Sequence, residues 1–255
     1  MPWFWLLVVS SLAVFLASLT VVDFSSVPDA GTASVLAVAL FAAPSIVAFL
    51  RWAGWKRGVL ALAVVGAAAT AVEGASVLTG FPYGRFSYSD ALGPMLFGLV
   101  PLALPLSYLP LLLGAFSVAR RLSEKCRLCI VVLSAGLLVA FDLALDPGAV
   151  AAGLWGWEEP GSYYGVPAAN YFGWAMTGLA YSAAMIVLLG ERMKSQAVPH
   201  GISASAVLTL SFWTGYLLKT GYLLPGAVGA ALIVIVYAVE WKEDWRKQKP
   251  QTGAI

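Results

Sequence analysis

Three acidic side chains associated with apolar stretches are the first candidates for chemistry in this chain. Glu73 lies within one stretch, and Asp142 and Asp146 lie at the end of another. A carboxyl group in hydrocarbon costs roughly 2.5 kcal/mol or more at the bilayer centre, so it is rarely found there without a function. Both stretches run into segments rich in aromatic residues, glycine and proline, at 79–88 and 153–167. Acidic groups beside aromatic rings at a membrane edge indicate proton chemistry on a lipophilic substrate.

The spacing of Asp142 and Asp146 places both carboxyl groups on one face of a helix, because residues four apart are neighbours there. Two carboxyl groups so placed do not both ionise easily. One is therefore expected to keep a proton that it can donate, and the other to act as a base or to orient water. A second interpretation of Asp146 is open, since Asp146-Pro147-Gly148 is also typical of a helix end followed by a turn.

Glu73 and Asn170 each allow two interpretations. Small residues surround Glu73, which lets a helix or a ligand approach closely. The alternative is a structural glutamate satisfied by Arg85 or by a neighbouring helix. Asn170 lies at the mouth of a later apolar run, where it either holds a water molecule or caps the helix.

Aromatic residues are dense after the second acidic stretch: Trp155, Trp157, Tyr163, Tyr164, Tyr171 and Trp174. Tryptophan and tyrosine rings often form a belt at the membrane interface. A belt does not require the glycines and the proline that lie between these rings. Their presence predicts a shaped loop that lines a cavity, where ring faces stabilise a carbocation.

Composition places the chain among integral membrane proteins, because 60% of its residues are hydrophobic and 11% are charged. A net charge of +2 gives no reason to expect a nucleic-acid partner. The chain has one histidine and two cysteines, Cys126 and Cys129, which are too few for a zinc, haem or iron–sulfur site. We therefore predict no metal and no cofactor, and two ordinary thiols at a helix start.

Apolar windows of membrane-spanning length predict an all-α, polytopic helix bundle with about eight transmembrane helices, at 3–22, 33–50, 59–78, 95–118, 128–145, 172–189, 202–218 and 222–239. Residues 1–241 are expected to form a single transmembrane domain, and 242–255 a short cytoplasmic polar tail. No basic residue precedes the first window, which favours an uncleaved membrane helix over a signal peptide.

Basic residues predict the orientation. With eight spans, the four basic clusters fall on one side: Arg51, Lys56 and Arg57; Arg120, Arg121, Lys125 and Arg127; Arg192 and Lys194; and Lys242, Arg246, Lys247 and Lys249. The positive-inside rule makes that side cytoplasmic, together with both termini. The opposite side carries both aromatic segments and five acids, Asp23, Asp29, Asp90, Glu158 and Glu159. The pattern predicts a multi-pass protein of the cell membrane, with its candidate site in the outer leaflet.

Two sets of motifs give the chain a resemblance to a known family. The first set is Glu73-Gly74, Thr79-Gly80-Phe81-Pro82-Tyr83-Gly84, Tyr88, Leu92-Gly93-Pro94 and Val100-Pro101. The second is Asp142-Leu143-Ala144-Leu145-Asp146-Pro147, Trp155-Gly156-Trp157, Tyr163-Tyr164-Gly165-Val166-Pro167, Asn170 and Gly173-Trp174. Together they resemble the membrane carotenoid hydratases, the family of bisanhydrobacterioruberin hydratase and of bacterial relatives that act on lycopene-type ends. The resemblance covers residues 70–175.

The resemblance implies that water is added, without a cofactor, to a terminal isopropylidene double bond of a carotenoid, giving a tertiary alcohol. It implies catalytic roles for Asp142 or Glu73 as the acid, Asp146 as base or partner, and Asn170 as water holder. Substrate-binding rings are expected at Phe81, Tyr83, Tyr88, Trp155, Trp157, Tyr164 and Trp174. The implied partners are a polyene or prenyl substrate, water, the lipid bilayer and other enzymes of carotenoid synthesis.

Other functions remain open at this point. A hydratase of the prenyl side chains of archaeal ether lipids would use the same chemistry. An acid-catalysed carotenoid cyclase would capture the cation with an internal double bond. A proton-coupled transporter would use Glu73 and Asp142 as relay groups, but it predicts polar residues in both halves of the membrane. A structural or assembly protein would leave the intramembrane acids unexplained.

Overall fold

The computed structural model describes residues 2–21, 29–124, 126–190, 192 and 197–248. These residues form eight α-helices: α1 (Pro2–Ser18), α2 (Ala30–Ala53), α3 (Trp55–Thr79), α4 (Leu104–Leu122), α5 (Arg127–Ala151), α6 (Ala168–Leu189), α7 (Ala204–Lys219) and α8 (Leu223–Gln248). A helix pairs its backbone N–H and C=O groups within one segment, as hydrocarbon surroundings demand. The predicted all-α bundle is confirmed.

Within the described residues, six helical segments are long and apolar enough to cross a membrane. They are α2, α3, α5, α6, α8 and the segment His200–Lys219, which joins a short 3₁₀ turn to α7. α1 is apolar but shorter. The protein is a multi-pass membrane protein. Its predicted count of eight spans and the cytoplasmic position of both termini stay predictions.

Some predicted features lie outside the described residues, namely Asp23, Lys125, Lys194 and 249–255. The same holds for the side chains of Arg246 and Lys247, although α8 itself continues to Gln248. The division into a transmembrane domain and a tail at residue 242 therefore stays a prediction.

The fourth apolar window, at 95–118, is a helix only from Leu104 onward. Its first residues instead form a hairpin, in which β2 (Met95–Leu96) pairs with β3 (Val100–Pro101). The turn between the two strands contains Phe97 and Gly98, which have φ values of 52° and 69°. Positive φ ends a regular helix, and a proline at the start of α4 fits the first turn of a new one.

A second small sheet joins the two aromatic segments. β1 (Phe86–Tyr88) pairs with β4 (Trp155–Trp157) in antiparallel register, with Phe86 opposite Trp157 and Tyr88 opposite Trp155. Because side chains alternate along a strand, these four rings share one face of the sheet. The ring centroids of Tyr88 and Trp155 are 6.0 Å apart, and those of Phe86 and Trp157 are 5.8 Å apart.

Helices α4 and α7 form the centre of the bundle, and both are buried over most of their length. α6 packs against α5 and α3, so it connects the helix with the two aspartates to the helix with Glu73. The approach of α6 to α5 is close, because a Cβ atom at Gly178 would lie 3.1 Å from the Cα atom of Ala135.

The basic ends of several helices meet at one end of the bundle. Gly54 alone separates α2 from α3, and its φ of 83° suits glycine. The guanidinium carbon of Arg120, at the end of α4, lies 5.4 Å from the centre of the Trp52 ring on α2. Arg192 also reaches this turn, with Nη2 3.7 Å from a Cβ position on Gly54. These contacts agree with the predicted clustering of basic residues on one side.

Cys126 and Cys129 are joined by a disulfide at the start of α5. The expectation of two ordinary thiols is therefore corrected. The Cα atoms of the two residues are 5.2 Å apart, which is within the range that a disulfide bridges.

Candidate active site

Glu73 on α3, Asp146 on α5 and Asn170 on α6 line one cavity of about 220 Å³. All three residues are buried, with 8%, 3% and 3% of their surface exposed. The rest of the wall is mainly apolar and aromatic. Three of the four predicted catalytic residues therefore meet around one space.

The amide of Asn170 bridges the two aspartates of α5. Its Nδ2 donates a hydrogen bond to Oδ2 of Asp142 over 2.7 Å and a second one to Oδ2 of Asp146. An asparagine amide has two N–H groups, so both are used. The remaining polar atom of the side chain is its carbonyl oxygen, which is an acceptor.

Asp142 lies behind this bridge. It is fully buried and does not line the cavity. Its second oxygen, Oδ1, has no hydrogen-bond partner among the described residues. The carboxyl group of Asp142 is close enough to that of Asp146 for a hydrogen bond when one of them carries a proton. The predicted pairing of the aspartates is present, but only Asp146 is in contact with the cavity.

The β1–β4 sheet supplies one hydrogen-bond donor to each carboxyl group in the cavity wall. The hydroxyl of Tyr88 donates to Oε2 of Glu73 over 3.0 Å. The indole N–H of Trp155, directly across the sheet, donates to Oδ1 of Asp146 over 3.2 Å. Glu73 is thus held by Tyr88, whereas Arg85, its predicted alternative partner, is exposed.

Tyr88 remains a donor at physiological pH. Burial, and next the Glu73 carboxyl group beside it, raise the pKa of Tyr88 well above the usual value for a phenol. The phenol therefore keeps its proton. Tyr88 can therefore donate to Glu73 over the ordinary pH range.

Tyr83 fixes the sheet to α6. Its carbonyl oxygen accepts a hydrogen bond from the indole of Trp157 over 2.8 Å, and its hydroxyl donates to Oγ1 of Thr177 over 3.0 Å. Its ring lies against Gly173, where a Cβ atom would come within 2.3 Å of the ring. Glycine is required at position 173 because the ring occupies that space.

Five of the predicted substrate-binding rings line the cavity: Tyr83, Tyr88, Trp155, Trp157 and Trp174. Phe81 and Tyr164 do not. Phe81 follows the end of α3 and is 63% exposed. Tyr164 packs against Tyr163 and Tyr222, with ring centroids 5.1 Å apart in both cases.

The alternative interpretation of Asp146, as a residue that stops a helix, does not hold. α5 continues through Pro147 to Ala151. Proline has no N–H, so the carbonyl group of Leu143, one turn earlier, loses its helical donor. The hydroxyl of Tyr163 takes that place, donating to the Leu143 oxygen over 3.0 Å. The helix can therefore carry Asp146 in its interior.

Part of the cavity wall carried no signal in the sequence. It includes Phe41 on α2, Tyr108 on α4, and Phe212 and Trp213 on α7. Except for the hydroxyl group of Tyr108, these side chains resemble any others in an apolar helix. They become wall residues because helices distant along the chain pack around one space.

The polar groups of the site are carboxyl groups, an amide, a phenol and an indole. Within the part of the chain that the structure describes, no group of three or more His, Cys, Asp and Glu side chains is arranged to hold a metal ion. Carboxyl groups with hydrogen-bond donors beside them, as in this site, are suited to transferring protons.

Comparison with known proteins places these residues in a family. The profile of the family described as "Carotenoid biosynthesis protein" matches residues 30–236. Over 129 residues the chain is 43% identical to the bisanhydrobacterioruberin hydratase of Haloarcula japonica. That match covers 48% of this chain and 43% of the relative, so the chain spans less than half of the relative's length. No solved structure matches the chain.

Proposed function

Since the chain belongs to the carotenoid biosynthesis protein family, we propose that it is a hydratase that adds water to a terminal isopropylidene double bond of a carotenoid. The substrate is a bacterioruberin precursor or a polyene with a lycopene-type end, and the product is a tertiary alcohol. The relative's name, a hydratase, supports this activity. The observation that carries the proposal is the pair of carboxyl groups, Glu73 and Asp146, held separately on one apolar, ring-lined cavity.

Glu73 is the better candidate for the acid. It accepts a hydrogen bond from Tyr88 and has no ion pair among the described residues. A carboxylate in an apolar wall needs several donors or a cation to stabilise its charge. Glu73 is therefore suited to enter the reaction with a proton. It gives that proton to the terminal double bond, and the electron pair of the bond forms the new C–H bond.

The resulting tertiary cation lies among aromatic rings. Phe86, Tyr88, Trp155 and Trp157 share the sheet face that borders the cavity. The π face of a desolvated ring stabilises a cation by about 2 kcal/mol. These rings also exclude bulk water, which favours attack by a water molecule held in place.

Asp146 is the better candidate for the base. Its oxygens accept hydrogen bonds from Trp155 and Asn170, and Asp142 lies within reach of a further one. These contacts suit an ionised carboxylate. Water held at the Asn170 carbonyl attacks the cation, and Asp146 takes one of its protons. Return of a proton from Asp146 to Glu73 across the shared cavity completes the cycle.

The test is expression in a host that accumulates lycopene, in water enriched in ¹⁸O, with mass analysis of the pigments. We expect a product that is heavier by the mass of one labelled water. Glu73→Gln and Asp146→Asn should each lower the yield about 100-fold or more, as expected for loss of general acid–base catalysis. Glu159→Gln makes the same chemical change at an exposed site and should leave the yield unchanged.

Three outcomes would contradict the proposal. A product of unchanged mass with new rings indicates a cyclase. Unchanged pigment, with ¹⁸O found in the prenyl chains of ether lipids in an archaeal host, indicates a lipid hydratase. Full activity of Glu73→Gln would remove Glu73 from the mechanism and leave the acid to the Asp142–Asp146 pair.

A further inference from the structure

The cavity extends well beyond the carboxyl groups, along the first halves of α2 and α4. On α2 its wall runs from Ser34 to Ala42, which is about 12 Å at the helical rise of about 1.5 Å per residue. On α4 it runs from Leu104 to Leu111. The walls in this part are almost entirely apolar. The extension therefore suits hydrocarbon and not the polar part of a ligand.

The inner end of this extension is closed. Ser45 of α2 and Ser205 of α7 exchange hydrogen bonds, since each backbone N–H donates to the hydroxyl of the other residue over 3.1 and 2.9 Å. Further along, Trp52 of α2 lies against Arg120 of α4. Helix α2 is thus in contact with α7 and α4 from Ser45 onward. Before Ser45, the cavity separates α2 from α4.

The extension is open at its side. Ala37 on α2 and Ser107 on α4 line the cavity and are also exposed. Both side chains are small. The neighbouring surface of α2 is apolar, because the side chains of Leu36 and Leu40 are 59% and 72% exposed. An opening with such a border suits contact with lipid chains rather than with water.

We propose that the gap bordered by Ala37 and Ser107 is a lateral entrance, through which the end of a long, rigid polyene slides from the bilayer to Glu73 and Asp146. This inference rests on the proposed function and names how its substrate binds. A conjugated polyene does not fold, so it cannot be enclosed in a cavity of about 220 Å³. One end occupies the cavity while the rest stays among the lipids. A polyene with two reactive ends must therefore be released and turned round between two hydrations.

The first experiment blocks the entrance. Ala37→Trp and Ser107→Trp place a large ring at the gap, and each should lower the rate of lycopene hydration in phosphatidylcholine vesicles at least tenfold. The matched control is Ala43→Trp, which makes the same change on α2 at an exposed position outside the cavity wall. It should hydrate lycopene at the rate of the unaltered protein. Hydration at that rate by Ala37→Trp would overturn the proposal.

The second experiment does not need turnover. A cysteine introduced by Ala37→Cys is labelled with an apolar maleimide under non-reducing conditions, which keep the disulfide of Cys126 and Cys129 intact. Lycopene in the vesicles should slow labelling at position 37 several-fold and leave labelling of Ala43→Cys unchanged. Protection without any hydration would refute the proposed function and keep the entrance. Equal labelling of Ala37→Cys with and without lycopene would refute the entrance.

Discussion

A neutral amide, not a cation, holds the two aspartates of α5 together. Asn170 donates one hydrogen bond to Asp142 and one to Asp146. A lysine or arginine in that place would stabilise both groups as carboxylates by its charge. The amide orients the pair and leaves a proton free to be held between them. This choice of side chain suits the proton transfer that we propose for the site.

We therefore expect Asn170→Ala to lower hydration about 100-fold, because Asp146 loses a donor and the carbonyl that would hold water is removed. The measurement is the initial rate on lycopene in vesicles. Tyr171→Phe is the control, since it removes a neighbouring buried hydroxyl that has no hydrogen-bond partner among the described residues. A rate for Asn170→Ala close to that of Tyr171→Phe would show that the bridge has no part in the reaction.

At the level of helices, the close packing of α5 against α7 positions the aspartates. A Cβ atom on Gly148 would lie 2.5 Å from the ring of Trp213, which lines the cavity. Gly148 is two residues from Asp146 on the same helix. The contact between Gly148 and the Trp213 indole thus determines how closely α5 approaches α7. It also fixes the position of Trp213, which forms part of the cavity wall.

Gly148→Ala should destabilise the protein by about 1–3 kcal/mol, because the added methyl group must displace a packed ring or the helix itself. Gly136→Ala is a matched change on the same helix at a position with no atom within 4 Å of the new Cβ. That variant should be as stable as the parent or slightly more so, since alanine favours helix. Thermal unfolding in detergent compares them; equal melting temperatures would contradict the packing argument.

Among the residues that the structure describes, the buried carboxyl groups lie in two separate places. One is the cavity with Glu73 and Asp146. The other joins α4, α8 and the turn before α7, where Glu240 of α8 accepts from Ser203 and forms an ion pair with Arg121 over 3.3 Å. His200 contacts the same carboxyl group. Glu240 does not line the cavity, so we assign it to stability rather than to chemistry.

Glu240→Gln should lower the free energy of unfolding by about 3–5 kcal/mol, because it leaves a buried arginine without its carboxylate. The rate of hydration per folded molecule should stay the same. Glu158→Gln, at an exposed position, is the control and should affect neither quantity. A melting temperature for Glu240→Gln equal to that of the control would show that this ion pair does not hold the helices together.

Several features of this protein were determined by the sequence alone. Long apolar stretches predict membrane helices, and Glu73, Asp142, Asp146 and Asn170 stand out within them, because a polar group in hydrocarbon is costly wherever the helices pack. These signals are local, so they survive without knowledge of the fold. The motifs of the aromatic segments also predicted the family that the profile match shows.

Other features were decided by the tertiary structure. β1 pairs with β4 across nearly seventy residues of chain, and this pairing brings the Tyr88 hydroxyl to Glu73 and the Trp155 indole to Asp146. Packing also places Asp142 behind the cavity, leaves Phe81 and Tyr164 outside it, and recruits walls from α2, α4 and α7. The hydropathy of a segment predicts that the segment is buried, but it does not predict which other segments pack against it. The shape of the site depends on contacts between segments whose sequences carry no information about each other's position.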